Sequence, residues 1–288
     1  MSKVQPILIN GEWIASKATR TFRAVNPATK EEHHIEFPVS PWEECDAACQ
    51  AAYEASVQMR GWPGDRFGAY LDAFADRIEK RAEELITTAN LETGYPIVPR
   101  LQDVELPRTI NQMRQGAKAA RDGSWCNAVI DTAAGIRSML GPAGPVCVFG
   151  PNNFPFAFNG AAGGDFVAAV AAGNPVIAKG HSSHPRTTQI FAEEALKAAR
   201  ETGMPKAMIR EARTFSPFSL RLLRSADSRP PVVWWRVIST ELVYRTSHED
   251  GYKLVAHPRL AGTGYTGTFA YRQMISCCVS AVLVPLHS

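Results

Sequence analysis

The sequence predicts an α/β protein built around a parallel sheet, and two observations carry that expectation. Pro145–Phe149 and Pro175–Lys179 are short, continuously apolar runs, the pattern of strands covered on both faces. Each is followed by a segment of helical character, first Gly164–Ala172 and then His184–Glu201, where Ile190, Phe191, Ala195 and Ala199 fall on one side. Strand, helix, strand, helix is the signature of βαβ units, and Ala261–Tyr265 supplies a further strand.

The residues ahead of that region read as a hairpin followed by helices. In "ILINGEWI" (7–14) the Asn10-Gly11 pair marks a tight turn, because both positions tolerate positive φ. Ser40, Pro41 and Glu43 start a helix and have the spacing of a capping box. Phe67, Tyr70, Leu71, Phe74, Ile78, Ala82, Leu85, Ile86 and Ala89 recur at helical spacing, so 64–91 is expected to be one long amphipathic helix. A further helix is expected from Leu106 to Arg121. Residues 124–140 mix apolar and polar side chains and read as extended chain or a hairpin. Residues 241–260 read as helix-like before the strand at Ala261. No internal repeat is visible.

Composition narrows the class. The chain has 288 residues, of which 45% are hydrophobic and 20% charged, which suits a folded protein with a substantial core. A net charge of +3 gives no argument for nucleic acid or for a membrane surface. No apolar run is long enough for a membrane span, and the start "MSKVQPILINGEW" lacks a secretory pattern. Six cysteines without framework spacing fit a reduced, cytoplasmic compartment. Cys45 and Cys49, one helical turn apart, are expected to be small buried apolar groups.

Residues 141–160, "GPAGPVCVFGPNNFPFAFNG", end a buried strand in two asparagines. Amides at the carboxyl end of a parallel strand sit where α/β sheets bind ligands. A side-chain N–H there can donate to an oxygen that becomes negative during reaction. The same asparagines also suit an ordinary strand-to-helix turn, and the residues alone leave both readings open.

The wider stretch "GPVCVFGPNNFPFAF…GGDFVAAVAAGNPVIAKGHSSHP" resembles the aldehyde dehydrogenase superfamily. It is most similar to the branch with 2,5-dioxovalerate (α-ketoglutaric semialdehyde) dehydrogenases and some NADP-dependent fatty aldehyde dehydrogenases. "INGEW", "VNPAT" and "GYTGT" extend the resemblance over 1–209 and 241–268. It implies a Rossmann-like cofactor domain at 141–268, preceded by an N-terminal hairpin and helices at 1–123. It also implies a projecting oligomerisation strand pair at 124–140 and oxidation of an aldehyde, such as a semialdehyde, through a thiohemiacetal. The partners implied are the aldehyde, a second copy of the chain or a full-length paralogue; neither nucleic acid nor membrane is expected.

The resemblance also assigns roles. Asn153 matches the oxyanion-hole amide of the family. Phe149, Gly150, Pro151 and Asn152 match the strand end along which the cofactor lies, and Lys179 matches the lysine that contacts the adenosine ribose, with His181 beside it. Ser182 stands three residues beyond Lys179, where many NAD-preferring relatives carry a glutamate, so the cofactor is expected to be NADP or NAD. Gly267 and Thr268 match a turn whose backbone approaches the pyrophosphate, although Phe269, Tyr271 and Arg272 are bulky where the family has small residues. "HSSH" also allows a metal reading through His181 and His184, but no third ligand is in view.

Two stretches break the texture. Residues 210–236 hold six arginines and no lysine, with clustered Ser and Pro and a Trp-Trp pair, inside an atypical insert at 210–240. Residues 269–288 form an atypical tail that is uncharged except for Arg272. A disrupted reading frame is the expected origin of both, with the catalytic domain largely absent. The family needs a thiolate to attack the carbonyl and a carboxylate to activate water. Cys277 and Cys278 lie in an apolar run without a flanking base, and such thiols are inert. The alternative is a non-catalytic module that binds a dinucleotide or pairs with a paralogue. Nucleic-acid binding through 210–236 is disfavoured by the absence of lysine and of any RNA-binding pattern.

Overall fold

The computed structural model describes residues 4–204 and 240–266. The chain opens with the expected hairpin, β1 (Ile7–Ile9) and β2 (Glu12–Ile14), whose turn residues Asn10 and Gly11 have φ of 56° and 73°. A two-residue pair follows, β3 (Thr21–Phe22) with β4 (Phe37–Pro38). The helices α1 (Trp42–Met59), α2 (Gly64–Lys80) and α3 (Ala82–Thr93) come next. An irregular helical stretch, Ile97–Glu105, leads into α4 (Leu106–Asp122). The 124–140 segment is a hairpin of β5 (Val129–Asp131) and β6 (Ile136–Ser138). Then come β7 (Val146–Phe149), α5 (Gly164–Ala171), β8 (Val176–Lys179) and α6 (Pro185–Glu201). The last described elements are β9 (Thr240–Val243), α7 (His248–Val255) and β10 (Gly262–Tyr265).

The main sheet has six strands in the order β10-β7-β8-β9-β1-β2. β10, β7, β8 and β9 are parallel, in the register Tyr265–Phe149–Lys179–Val243. β1 joins antiparallel to β9, with Leu8 opposite Leu242, so the N-terminal hairpin extends the sheet. Alternate strand residues face two separate cores. Val148, Val176 and Ala178 pack with α2, α4, α5 and α6, whereas Cys147 and Ile177 pack against Cys45, Ala48, Cys49 and Ala52 of α1 and Leu254 of α7. A parallel sheet buried on both faces is the predicted α/β architecture, and it explains why its strands read as unbroken apolar runs.

Three expectations are corrected. The periodic run 64–91 is two helices, because Arg81 (φ −108°, ψ 18°) leaves the helical region. Its guanidinium pairs with Glu84, Glu193 and Glu194, which ties the break to α6. Ile78, Leu85, Ile86 and Ala89 are buried on both sides of the break, so apolar spacing alone could not reveal it. The capping box does not form. Pro41 is the N-cap of α1, while the Ser40 amide donates to the Arg245 carbonyl at 2.8 Å and the buried Ser40 hydroxyl has no hydrogen-bond partner among the described residues. The third correction is β9, a strand inside the stretch read as helix-like. It is short, and it lies between β8 and β1 in the sheet.

Candidate functional site

The parallel strands deliver the predicted residues to one place. From the end of β7 come Phe149, Gly150, Pro151 and Asn152, and from the end of β8 come Lys179, His181 and Ser182. Arg245, Thr246 and Ser247 follow β9, and Tyr265 and Thr266 end β10. All of these line one cleft of about 730 Å³, closed on one side by Gly251, Tyr252 and Val255 of α7 and on another by Arg20 and Thr21. It lies over the carboxyl ends of the parallel strands. There the chain order reverses, with β8 on one side of β7 and β10 on the other, the usual ligand crevice of open α/β sheets.

Local packing fixes the β7 end. A Cβ on Gly150 would come within 2.8 Å of the Gly160 amide nitrogen and the Phe158 carbonyl, so only glycine lets the 158–160 backbone fold back against it. The buried Glu105 carboxylate accepts from the Phe156 amide at 3.1 Å and is 2.9 Å from Arg100. Arg100 in turn donates to the Asn153 carbonyl at 2.9 Å. Buried Asn159 donates to the Pro155 carbonyl (2.9 Å) and to Thr188 Oγ1 (3.1 Å), tying the turn to α6. His184 donates through Nε2 to the Pro151 carbonyl at 3.0 Å; a carbonyl can only accept, which sets the tautomer.

The electrostatics of the cleft are one-sided. Arg20, Lys179 and Arg245 line it, and among the described residues no Asp or Glu does. Burial lowers the Lys179 ammonium to about 8, and the Arg245 cation pushes the same way. His181 is driven to about 3 by burial, by His184 and by Lys179, so it is a neutral ring. Burial also lowers His184. The two rings stack 5.4 Å apart, and among the described residues no group of three His, Cys, Asp or Glu side chains could hold a metal. Among the described residues no thiol lines the cleft either. Cys45 and Cys147 are buried, and desolvation raises Cys45 to about 12 and Cys147 well above its ordinary value.

Asn152 lines this cleft, whereas exposed Asn153 lines neither it nor the smaller cavity next to it. Gly267, Thr268, Cys277, Cys278, the 210–236 stretch and the 269–288 tail lie outside the described residues. Sequence reasoning missed Arg20 and Arg245. Arg245 follows a strand, β9, that was not recognised, and nothing local marks Arg20.

The sequence model of the aldehyde dehydrogenase family matches residues 13–213. The chain belongs to the aldehyde dehydrogenase family. Within it, the chain is 35% identical over 272 residues to α-ketoglutaric semialdehyde dehydrogenase 2 of Azospirillum brasilense, covering 91% of this chain and 45% of that protein. It is 37% identical over 206 residues to the α-ketoglutaric semialdehyde dehydrogenase of Acinetobacter baylyi, covering 68% and 38%. The chain thus spans less than half the length of these family relatives. Among solved structures, HpcC of Thermus thermophilus superposes with a TM-score of 0.74 at 22% identity, over 96% of this chain and 46% of that one. A Thermus 1-pyrroline-5-carboxylate dehydrogenase with bound NAD superposes at 0.69 and 21%, over 97% and 46%. These two likenesses establish the shared fold.

Proposed function

We propose that the cleft holds a nicotinamide dinucleotide and that residues 141–268 form the cofactor-binding domain of an enzyme oxidising an aldehyde, such as a semialdehyde, to a carboxylate. The observation that carries this reading is the charge of the cleft: among the described residues, three cationic side chains and no carboxylate, at the carboxyl ends of four parallel strands. Its volume lies in the range of small-molecule sites, roughly 300–1,000 Å³. Phe149, Gly150, Pro151 and Asn152 form one wall and Lys179, His181 and Ser182 the other, while Gly267 and Thr268 are assigned to the pyrophosphate by family resemblance. When bound, the dinucleotide supplies the hydride acceptor. Lys179 offers a cation on a flexible stem for the ribose and phosphates, and neutral His181 adds no further charge.

The names of the relatives support an aldehyde that carries a carboxylate, 2,5-dioxopentanoate being the expected one. Asn153 is the proposed oxyanion donor, on a turn clamped by Arg100 and Glu105. With no thiol along the cleft among the described residues, the chain is expected to bind the dinucleotide without turning over aldehyde. The β5–β6 hairpin leaves Ile130 67% and Met139 68% exposed, and it is the proposed contact with a second copy or a longer paralogue. No described helix is long and apolar enough to cross a membrane; a cytoplasmic setting is part of the same proposal. Titration of the chain with NADPH and NADH, followed by tryptophan quenching, tests the reading. Saturable quenching without aldehyde oxidation is expected, and absence of binding by both would refute it.

A further inference from the structure

We propose a second chemistry for the cleft: the Lys179 amine condenses reversibly with small aldehydes that carry a carboxylate and holds them as an imine. Such capture goes beyond dinucleotide binding and does not depend on it.

Position in the sheet places the amine. Lys179 lies between Phe149 of β7 and Val243 of β9 in the parallel register. Side chains alternate along a strand, so Lys179 projects on the face of Ile177, the face that packs on α1 and α7. Cys147 lies on that face one row below, opposite Ile177, and burial keeps its thiol protonated. Val39, Phe149 and Val255 give the cleft apolar walls around the partly buried lysine. Among the described residues no carboxylate pairs with Lys179 and no hydrogen bond engages its Nζ.

Those surroundings make the amine a nucleophile. A lysine attacks a carbonyl only in its unprotonated form, and desolvation beside another cation is how proteins supply that form. Both act here, burial first and then Arg245, and they lower Lys179 to about 8. Near neutral pH its free amine is on the order of a hundred times more abundant than that of an ordinary lysine. The other titratable or charged groups along the cleft are Arg20, His181, Arg245, Tyr252 and Tyr265. His181 is neutral, and its Nδ1 accepts from the Ser183 amide at 3.1 Å, which leaves the ring proton on Nε2. On the helices packed under this face, Glu44 is held by Ser16 and the Lys17 amide, and Asp250 by Ser247 and Lys253. Arg20 and Arg245 are in no ion pair among the described residues, so either guanidinium can take the carboxylate of the aldehyde in a paired hydrogen bond.

The step balances without an oxidant or reductant. The ammonium gives one proton to solvent, the nitrogen lone pair bonds the carbonyl carbon, and the carbonyl π pair moves to oxygen, which takes up the proton that nitrogen sheds. The carbinolamine then loses hydroxide and one N–H proton as water, and the C=N bond forms. One amine and one aldehyde give one imine and one water.

The test is trapping with cyanoborohydride on the full chain, using 4-oxobutanoate and, as a neutral aldehyde of the same length, butanal. Peptide mass mapping locates the label in the parent chain, so the result does not rest on a variant that folds. Lys179 should take up 4-oxobutanoate at least about tenfold faster than any exposed lysine near neutral pH. It should react at least about tenfold more slowly with butanal, the usual worth of a charge-assisted contact. Combining Arg20→Ala with Arg245→Ala should bring the two rates together, and NADPH should slow both by filling the cleft. Label spread evenly over the lysines overturns the proposal, and so does butanal reacting as fast as 4-oxobutanoate. A chain that binds NADPH yet leaves Lys179 unlabelled overturns imine capture alone. Labelling of Lys179 that NADPH does not slow supports capture and counts against the dinucleotide reading.

Discussion

The Nε2 of His184 and the carbonyl of Pro151 lie 3.0 Å apart, joining the N-cap of α6 to the chain leaving β7. His184 is 1% exposed, so its hydrogen bond cannot be replaced by water. Replacing it with leucine leaves a buried carbonyl unsatisfied, at a cost of about 1–3 kcal/mol. Pro151 and Asn152 line the cleft, so dinucleotide affinity should fall along with stability. Urea unfolding and NADPH titration of His184→Leu check both effects. Unchanged affinity in a stably folded variant would show that the contact serves only the scaffold.

Glu105 is fully buried and holds the Phe156 amide while pairing with Arg100. Glu105→Ala removes the acceptor and leaves the amide and the guanidinium without their partner, a loss of about 3 kcal/mol for a broken buried pair. Glu105→Gln keeps an acceptor for the amide and should cost less. If the two variants unfold at the same urea concentration, the charge rather than the hydrogen bond carries the clamp.

Gly150→Ala puts a methyl group against Gly160 N and Phe158 O at 2.8 Å, both backbone atoms with little freedom to give way. A cost of about 2 kcal/mol is expected from such overpacking. Since the strand end lines the cleft, NADPH binding should weaken as well. Thermal unfolding with and without NADPH separates the two effects.

Most of this arrangement was legible in the sequence, for identifiable reasons. The apolar runs around Val148 and Ile177 have the pattern of strands covered on both faces, and Asn10-Gly11 is a strong turn signal. Lys179, His181, Ser182 and the 149–152 segment share one cleft because they end neighbouring strands, which the βαβ rhythm already implied. What stayed hidden depends on partners distant in sequence. Arg81, where the helix breaks, pairs with Glu193 and Glu194, more than a hundred residues away. β9 carries too few residues for its period to show, so Arg245 had no visible strand to follow. Arg20 reaches the cleft through folding of the N-terminal segment over the sheet, which local pattern cannot foresee.

Lys179 gives the cleft a pH signature. Burial lowers its ammonium from 10.5 to about 8, so the empty folded protein sheds this proton earlier than the unfolded chain. Stability should therefore rise with pH between those two values, as the cost of the buried charge is relieved. Binding of a phosphate-bearing ligand reverses the preference, because the anion favours the charged amine. NADPH affinity should decline as pH rises through about 8, and Lys179→Met should abolish that decline while lowering affinity throughout. Isothermal titration in two buffers of different ionisation enthalpy would detect the proton taken up. No uptake near this pH would mean that Lys179 does not face the ligand.

Glu92 and the two histidines set opposing trends in mildly acidic solution. Burial raises Glu92 from 4.5 to about 7, against hydrogen bonds from Arg186 and Thr187 that work to lower it. The folded protein therefore holds this proton after the unfolded chain has lost it, and stability falls as pH rises from 4.5 toward 7. His181 runs the other way, lowered from 6.5 to about 3, and His184 is lowered too. Their stabilisation is complete above 6.5 and is lost on acidification, because the unfolded chain takes up protons that the folded sites refuse. Between 4.5 and 6.5 the contributions offset each other, and the parent chain should show a shallow profile. Glu92→Gln removes one side of the balance. Its urea midpoint should fall more steeply than that of the parent between about pH 7 and about pH 5, with the histidines unopposed. A variant profile parallel to the parent's would mean that Glu92 stays ionised in the folded protein, held by the start of α6.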